Sequence, residues 1–266
     1  MEIFTTLSPF GKELEAGSIR SGEQLQQRVR EAGFDGIELH LRILEYPEGR
    51  KLLEGLDYRS VSLHSNHHEF SLGSANRYRR HAAVEQLSDE LALAAEKGAR
   101  MLTFHPGYEG KKISRRQAHD NMITALGTVF SRHSTLIDGM NTELAVENMD
   151  DTTTKLCRFE EEVERVLQAY PKLGLTCDLA HCAIGGHDVE GFVQRFESRI
   201  RHLHVSGFKP NTSHSAVSLP QSELDLRPVI NRLAKRDLIF CIENKTLELT
   251  MESRDFLVAL RDALPV

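Results

Sequence analysis

Residues 173–206 read LGLTCDLAHCAIGGHDVEGFVQRFESRIRHLHVS. The stretch holds two apolar runs of strand length, LGLTCD at 173–178 and RHLHVS at 201–206, around a helical segment expected near 189–197. Strand residues alternate faces, so Leu203 and Val205 fall on one side while His202 and His204 fall on the other. In the first run Thr176 and Asp178 share a parity in the same way. Each strand thus offers one face to pack under helices and a second that ends in an ionisable side chain. This is the unit of a parallel sheet covered by helices.

The unit recurs along the chain. EIFTT (2–6), GIELH (36–40), SVSLH (60–64), RMLTFH (100–105), TELAVE (142–147) and LIFCIE (238–243) complete a set of eight expected strands. Helical candidates lie between them. One at 21–33 carries Ser21 and Gln24 in capping-box spacing and stops at Gly33. The longest, 74–98, has Val84, Leu87, Leu91 and Ala94 at helical spacing and closes at Gly98. Further helices are expected near 47–55, 114–132, 158–169, 226–234 and 252–263. No Pro/Ser-rich linker breaks the alternation, so residues 1–266 read as one (β/α)₈ TIM barrel domain. A doubly wound sheet is the alternative. The first turn, TLSPFGKELEAG, contains neither GxGxxG nor GxxxxGK, and the barrel is favoured.

With 40% apolar and 27% charged residues, the composition excludes collagenous, coiled-coil and largely disordered chains. A formal net charge of −6 argues against a protein that grips nucleic acid by a broad basic face. The four cysteines, Cys157, Cys177, Cys182 and Cys241, form no CxxC pair and suit reduced thiols. No secretory leader and no membrane-length apolar run is read, and a cytoplasmic location is expected.

Compared across all strands, one parity holds Ile37 and Leu39, Val61 and Leu63, Leu102 and Phe104, Leu144 and Val146, Leu203 and Val205, Phe240 and Ile242. The other ends in His40, His64, His105, Glu147, Asp178, His204 and Glu243, with the smaller Ser62, Thr103, Ala145, Thr176 and Cys241 beneath several of them. Barrel active sites are built on that C-terminal rim. Taken singly, a His at a strand end is usually a hydrogen-bonded structural residue, the reading kept for His40, and an Asp or Glu usually caps a turn. Three carboxylates crowded in one closed mouth would repel each other, and a cation is the usual compensation. A divalent metal site is therefore expected. His181 leans over the same mouth from the strand-6 loop, and His214 is within reach from the strand-7 loop. His67 and His68 sit in the strand-3 loop as further contacts. His81, His119 and His133 are expected on helix surfaces, His187 in a loop, and His202 as barrel filling below His204.

In this order and spacing, GFDGIELH, LHSNHH, AAEKGARMLTFHPGY, AVENMD, LTCDLAHCAIGGHD, HLHVSG and CIENK make the chain resemble the xylose-isomerase-like TIM-barrel superfamily. That group includes ketose 3-epimerases, inosose-processing enzymes and endonuclease IV. The resemblance to the epimerases implies a divalent metal (Mn²⁺, Zn²⁺, Co²⁺ or Mg²⁺) on Glu147, Asp178, His204 and Glu243, with no organic cofactor. It implies a sugar or sugar-phosphate substrate isomerised or epimerised through a metal-stabilised enediolate, with Glu147 and Glu243 removing and returning the proton. His181 would contact substrate oxygens. The Arg that epimerases carry after the strand-7 His is missing, and Lys209 in GFKPN is the nearest cation. Lys111, Lys112 and Arg115 are candidate anion contacts.

The alternative implied by the resemblance is an endonuclease IV-like phosphodiesterase acting on abasic DNA, the one reading with a nucleic-acid partner. His64, His105, His181 and His214 match its additional zinc ligands, with His64 and His105 completing a second metal site on Glu147. Thr212 stands where its strand-7 loop Asp is expected. A barrel that keeps the shape without catalysis is the third reading, disfavoured by the complete Glu/Asp/His/Glu set.

Overall fold

The computed structural model describes residues 1–66, 71–110, 112–139, 142–150 and 154–263. Eight parallel strands close into a barrel in sequence order: β1 (Glu2–Thr6), β2 (Gly36–His40), β3 (Val61–His64), β4 (Met101–Phe104), β5 (Glu143–Glu147), β6 (Gly174–Asp178), β7 (Ile200–Val205) and β8 (Ile239–Ile242). The expected (β/α)₈ TIM barrel is the fold observed.

Between the strands run helices Gly22–Glu31, Pro47–Leu53, Arg77–Lys97, Arg115–Arg132, Glu160–Ala169, Val189–Phe196, Arg227–Leu233 and Leu247–Asp262. Their ends follow local chemistry. Ser21 accepts from the Gln24 amide at the start of the first, and Gly98, at φ +70°, closes the longest in the left-handed conformation that glycine adopts without strain. The last helix begins five residues before the expected 252, because the Thr246 hydroxyl caps it. Among the described residues, no helix is long and apolar enough to cross a membrane.

The outward strand residues Ile37, Leu39, Leu63, Leu102, Val146, Leu203 and Ile242 join the helices in one apolar layer between sheet and shell. Truncating any one of them to Ala would cost roughly 2–5 kcal/mol. Inside the barrel a separate small cluster of Phe4, Ile239 and Cys241 forms the floor. Gly36 is what admits it, since a Cβ there would lie 2.4 Å from the Phe4 ring. All four cysteines are buried and free.

β7 carries an irregularity that the site depends on. Leu175 pairs with Ile200 but Thr176 pairs with His202, so one extra residue, Arg201, is accommodated on β7. Such a bulge re-aims the side chains that follow it. Ile200 packs in the outer layer, whereas His202 and His204, of the same numerical parity, sit inside the barrel, both fully buried.

Candidate metal centre at the barrel mouth

Alternation along each strand delivers one side chain to the rim and another one pleat below it. In the lower tier lie Glu38, Ser62, Thr103, Ala145, Thr176, His202 and Cys241, all buried. Thr103 Oγ1 lies 2.8 Å from Thr176 Oγ1 and 3.2 Å from His202 Nδ1, which fills the barrel beneath His204. In the upper tier Glu147, Asp178 and His204 are 0–1% exposed, and Glu243 stands at the more open edge.

Glu147 is the hub. Its Oε2 lies 3.2 Å from His64 Nε2 and 2.9 Å from His105 Nε2. Its Oε1 lies 3.3 Å from His181 Nδ1 and 3.4 Å from His204 Nδ1. The same His204 Nδ1 is 3.3 Å from Glu243 Oε1, and His181 Nδ1 is 3.4 Å from Asp178 Oδ2. His214 reaches Glu243 at 3.8 Å and stands edge-on to His181, ring centres 4.9 Å apart. Ligand atoms of Glu147, Asp178 and His204 lie within 4.8 Å of one another; so do those of His64, His105 and Glu147, and those of Asp178, His181 and His214. The mouth therefore gathers every rim residue named above. His40 accepts from the Arg42 amide and stacks on His64 at 4.9 Å. Lys209 is not among the residues lining the cavity, whereas Lys155 is. His67, His68 and Lys111 lie outside the described residues.

Burial and charge oppose each other throughout. Burial pushes the Glu147 carboxyl up, but the charges of His105 and His204 outweigh it and hold Glu147 well below the carboxylate range. At Glu243 burial prevails, reinforced by Asp178 and Glu147 against His204, and the carboxyl rises to about 7. Burial disfavours the His181 imidazolium, yet Asp178, Glu147 and Glu243 raise it to about 10. His204 also rises well above its ordinary value, against its burial, because Glu243, Glu38 and Glu147 face it.

Sequence reasoning missed three contributors. Glu38 faces His204 from below, Oε1 to Nε2 at 3.1 Å, and accepts from Ser62 Oγ at 3.2 Å. Asn148 clips β5 to β6: its side-chain NH₂ donates to the Asp178 carbonyl and its Oδ1 accepts from the Asp178 amide. Asn244 does the equivalent after β8, donating to the Val217 carbonyl and accepting from Ser253 Oγ. The repeated Glu-Asn pairs of AVENMD and CIENK were the available signal. A short helix at Leu179–Ile184, capped by Asp178 Oδ1 accepting from the His181 amide at 2.8 Å, holds His181 over the mouth.

A closed barrel with this polar C-terminal rim belongs to a recognised class. The chain is a member of the xylose isomerase-like TIM barrel family, whose family model matches residues 26–260. Among its relatives, an uncharacterized protein of Methanocaldococcus jannaschii is 29% identical over 174 residues, 65% of this chain and 62% of that protein, so the likeness spans about three fifths of the relative's length. A probable endonuclease 4 of Campylobacter hominis is 22% identical over 56% of this chain and 54% of its own. Among solved structures, a D-tagatose 3-epimerase-like protein superposes with a TM-score of 0.79 at 18% identity, covering 98% of this chain and 97% of that one. A protein from Thermus thermophilus, soaked with ZnCl₂, gives 0.70 at 22% identity over the whole of both chains. At these identities the structures attest the shared barrel.

Proposed function

We propose that the chain is a divalent-metal-dependent isomerase or epimerase of a sugar or related polyol-ketone. The observation that carries this reading is the cluster of Glu147, Asp178 and His204, with Glu243 3.3 Å from His204 Nδ1, at a mouth where Glu147, Glu243, His181 and His214 line a cavity of about 380 Å³. That is near the small end of ligand pockets, roughly 300–1,000 Å³, and suits a small polar molecule.

The donor set fits a cation. Asp178 Oδ2 is fully buried with no hydrogen-bond partner among the described residues, and Glu147 on the adjacent β5 and His204 on the adjacent β7 offer ligand atoms beside Asp178. Carboxylate and imidazole donors suit Mn²⁺, Zn²⁺, Co²⁺ or Mg²⁺. A cation held by these four residues would supply Lewis-acid polarisation of a substrate carbonyl, acidifying the adjoining C–H bond. Glu147 and Glu243, from strands three apart around the barrel, are the proton-transfer pair. One carboxylate accepts the carbon-bound proton, breaking C–H and forming O–H; a carboxyl then returns a proton to carbon, on the opposite face for epimerisation. His181, fixed by the Asn148 carbonyl 3.0 Å from its Nδ1, would orient substrate oxygens.

One observation favours a second cation. His64 Nδ1 lies 3.1 Å from the Ser65 carbonyl, which can only accept, so a neutral His64 turns its Nε2 lone pair toward Glu147 Oε2. A positive charge is needed between them; a proton on His64, which Glu147 and Glu38 favour against its burial, supplies it in the metal-free protein, and a cation on His64, His105 and Glu147 would supply it in the loaded one. The same feature and the endonuclease relatives favour phosphodiester cleavage as the second reading. Against it, Thr212 is exposed and bonded to the Pro210 carbonyl, and contributes no carboxylate beside His181 and His214.

The deciding experiment incubates zinc- or manganese-loaded protein in D₂O with a panel of ketoses, and separately with a duplex carrying an abasic site. Deuterium entering beside the carbonyl, lost in Glu243→Gln, is the expected result. Strand cleavage lost in Glu147→Ala, with no exchange into any ketose, overturns it in favour of the second reading.

A further inference from the structure

His204 presents both ring nitrogens to carboxylates. Nδ1 faces upward into the mouth, 3.4 Å from Glu147 Oε1 and 3.3 Å from Glu243 Oε1, while Nε2 faces downward, 3.1 Å from Glu38 Oε1. An imidazole ligates a metal through a nitrogen without a proton, so the other nitrogen must carry it. Which nitrogen is free is set by the hydrogen bond its opposite number makes.

Glu38 is built for that task. It lies one pleat below the rim on β2, its side chain 3% exposed, and among the described residues no Lys or Arg pairs with it. Ser62 Oγ donates to Oε2 at 3.2 Å, and His202 Nδ1 stands 3.5 Å from the same oxygen. That leaves Oε1 for His204, whose Nε2 stands 3.1 Å away, near enough to pair but not aligned as a hydrogen bond, and has no hydrogen-bond partner among the described residues, while its Nδ1 meets Glu147 Oε1 at 3.4 Å. A buried carboxylate at this depth is costly unless something cationic or hydrogen-donating depends on it. The β7 bulge brings His204 to face it, and β2 delivers Glu38 from the register in which it pairs with Ser62.

We infer that Glu38 is a positioning residue for the metal centre: its carboxylate keeps the proton of His204 on Nε2 and so turns the bare Nδ1 toward the cation. The inference rests on the proposed reading of His204 as a metal ligand. Glu38→Gln tests it with little change of shape. The Gln amide can turn its NH₂ toward Nε2, which favours the tautomer with Nδ1 protonated and the wrong nitrogen bare. Partners of this kind commonly contribute 10–100-fold to metal affinity.

The experiment titrates metal-free wild type, Glu38→Gln, Glu38→Asp and His204→Ala with Zn²⁺ against a chromophoric chelator, and reads the His204 tautomer by long-range ¹H–¹⁵N NMR. Expected are a 10–100-fold weaker zinc affinity in Glu38→Gln, partial recovery in Glu38→Asp, and a His204 signal shifted from the Nε2–H form, with the unfolding temperature of the metal-free protein unchanged or raised. Glu38→Asp carries the test if Glu38→Gln fails to fold, since its shorter reach should still weaken binding. Affinity within threefold of wild type in both Glu38 variants, while His204→Ala binds weakly, overturns the positioning role alone. A loss far beyond a hundredfold with the tautomer unchanged makes Glu38 a ligand and also overturns it. Undiminished binding by His204→Ala, or none by wild type, overturns the reading of the site itself.

Discussion

At the N-terminal end of the barrel, Arg100 pairs with Glu2, Arg201 with Glu143, and Arg236 donates to the carbonyls of Glu197 and Ile200. Arg100, Glu143, Glu197, Arg201 and Arg236 border a basin of about 890 Å³, more than twice the volume of the mouth at the opposite end. Each of those carboxylates has a guanidinium beside it, and the Arg201–Glu143 pair stays partly in water, its side chains 34% and 48% exposed. At the C-terminal end Glu147 and Asp178 on one side and Glu38 and Glu243 on the other gather around His204, and among the described residues no guanidinium pairs with them. Volume therefore does not mark the site. What distinguishes the mouth is that its charges are desolvated and left to be balanced by protons or a cation, the condition under which side chains acquire chemistry. Charges paired at the solvated N-terminal end are neutralised by their partners and screened by water, and each pair is worth little.

The sharpest way to break this contrast is at the hub. Glu147→Gln keeps the shape and removes the charge that four histidines face. Turnover of whichever ketose the panel identifies should fall on the order of 10²–10⁴-fold, with circular dichroism unchanged. Activity within tenfold of wild type would return the mouth to the status of the floor.

Metal removal comes next in size. If the mouth needs a cation to balance it, calorimetry in a chelator should show a lower unfolding temperature than with Zn²⁺ or Mn²⁺ in excess. Saturation near 1,000 times the dissociation constant corresponds to about 4 kcal/mol, or on the order of 10 °C for a domain of this size. A transition that ignores the metal would mean that protons alone balance the site.

The mouth was also the more legible end in the sequence. Two-residue alternation placed seven ionisable residues on one rim because in a regular strand the period fixes the face; in β7 it holds only beyond the bulge at Arg201. Glu38 obeys the same alternation in GIELH but lies mid-strand, one pleat below the rim, where its sequence neighbours give no sign of the His204 it faces from β7. The β7 bulge left no local signal: Arg201 becomes the extra residue only through its pairing with β6, a non-local fact. The helix at Leu179–Ile184 was hidden because Asp178 ends a strand and caps a helix at once, leaving too few residues for a periodic pattern. His119 was expected on a surface, yet it is 2% exposed. It falls in the stripe of Ala118, Met122, Ala125, Leu126 and Val129, which the residue type was allowed to outweigh.

His119 supplies a third test, because it is a buried titratable group that belongs to neither end. Its Nε2 donates to the Glu162 carbonyl at 3.0 Å, and its Nδ1 accepts from Arg165 at 3.3 Å, which requires the neutral ring. Burial lowers its pKa below the ordinary 6.5; Arg165 adds to this, and Glu162 and Asp120 offset only part. The unfolded chain therefore takes up this proton first as pH falls. The stability contributed by neutral His119 is full above about pH 6.5 and declines as pH drops toward its lower folded-state value. His119→Gln should cost roughly 1 kcal/mol at pH 8, about the worth of one hydrogen bond. The cost should shrink in urea denaturation at pH 5.5. A constant difference at both values would show that the ring does not titrate where its surroundings require.

The smallest effect is expected at the floor, and its smallness is the point. Arg201 donates to the Ser198 carbonyl at 2.8 Å and the Ile200 carbonyl at 3.2 Å, and stands 3.5 Å from Glu143. All of these contacts are at least partly wetted, so water can replace the guanidinium when it is removed, and salt screens the charge pair. Arg201→Ala, Glu143→Ala and the double variant should give an interaction energy of about 0.2–1 kcal/mol, reduced further in 0.5 M salt, with turnover unaltered. The same cycle on Glu147 and His204, both buried, should give a larger energy that salt does not reduce, because no ions reach the pair to screen it. Equal energies and equal salt responses at the two ends would mean that burial does not separate them, and the desolvation argument for the proposed metal centre would fail with that equality.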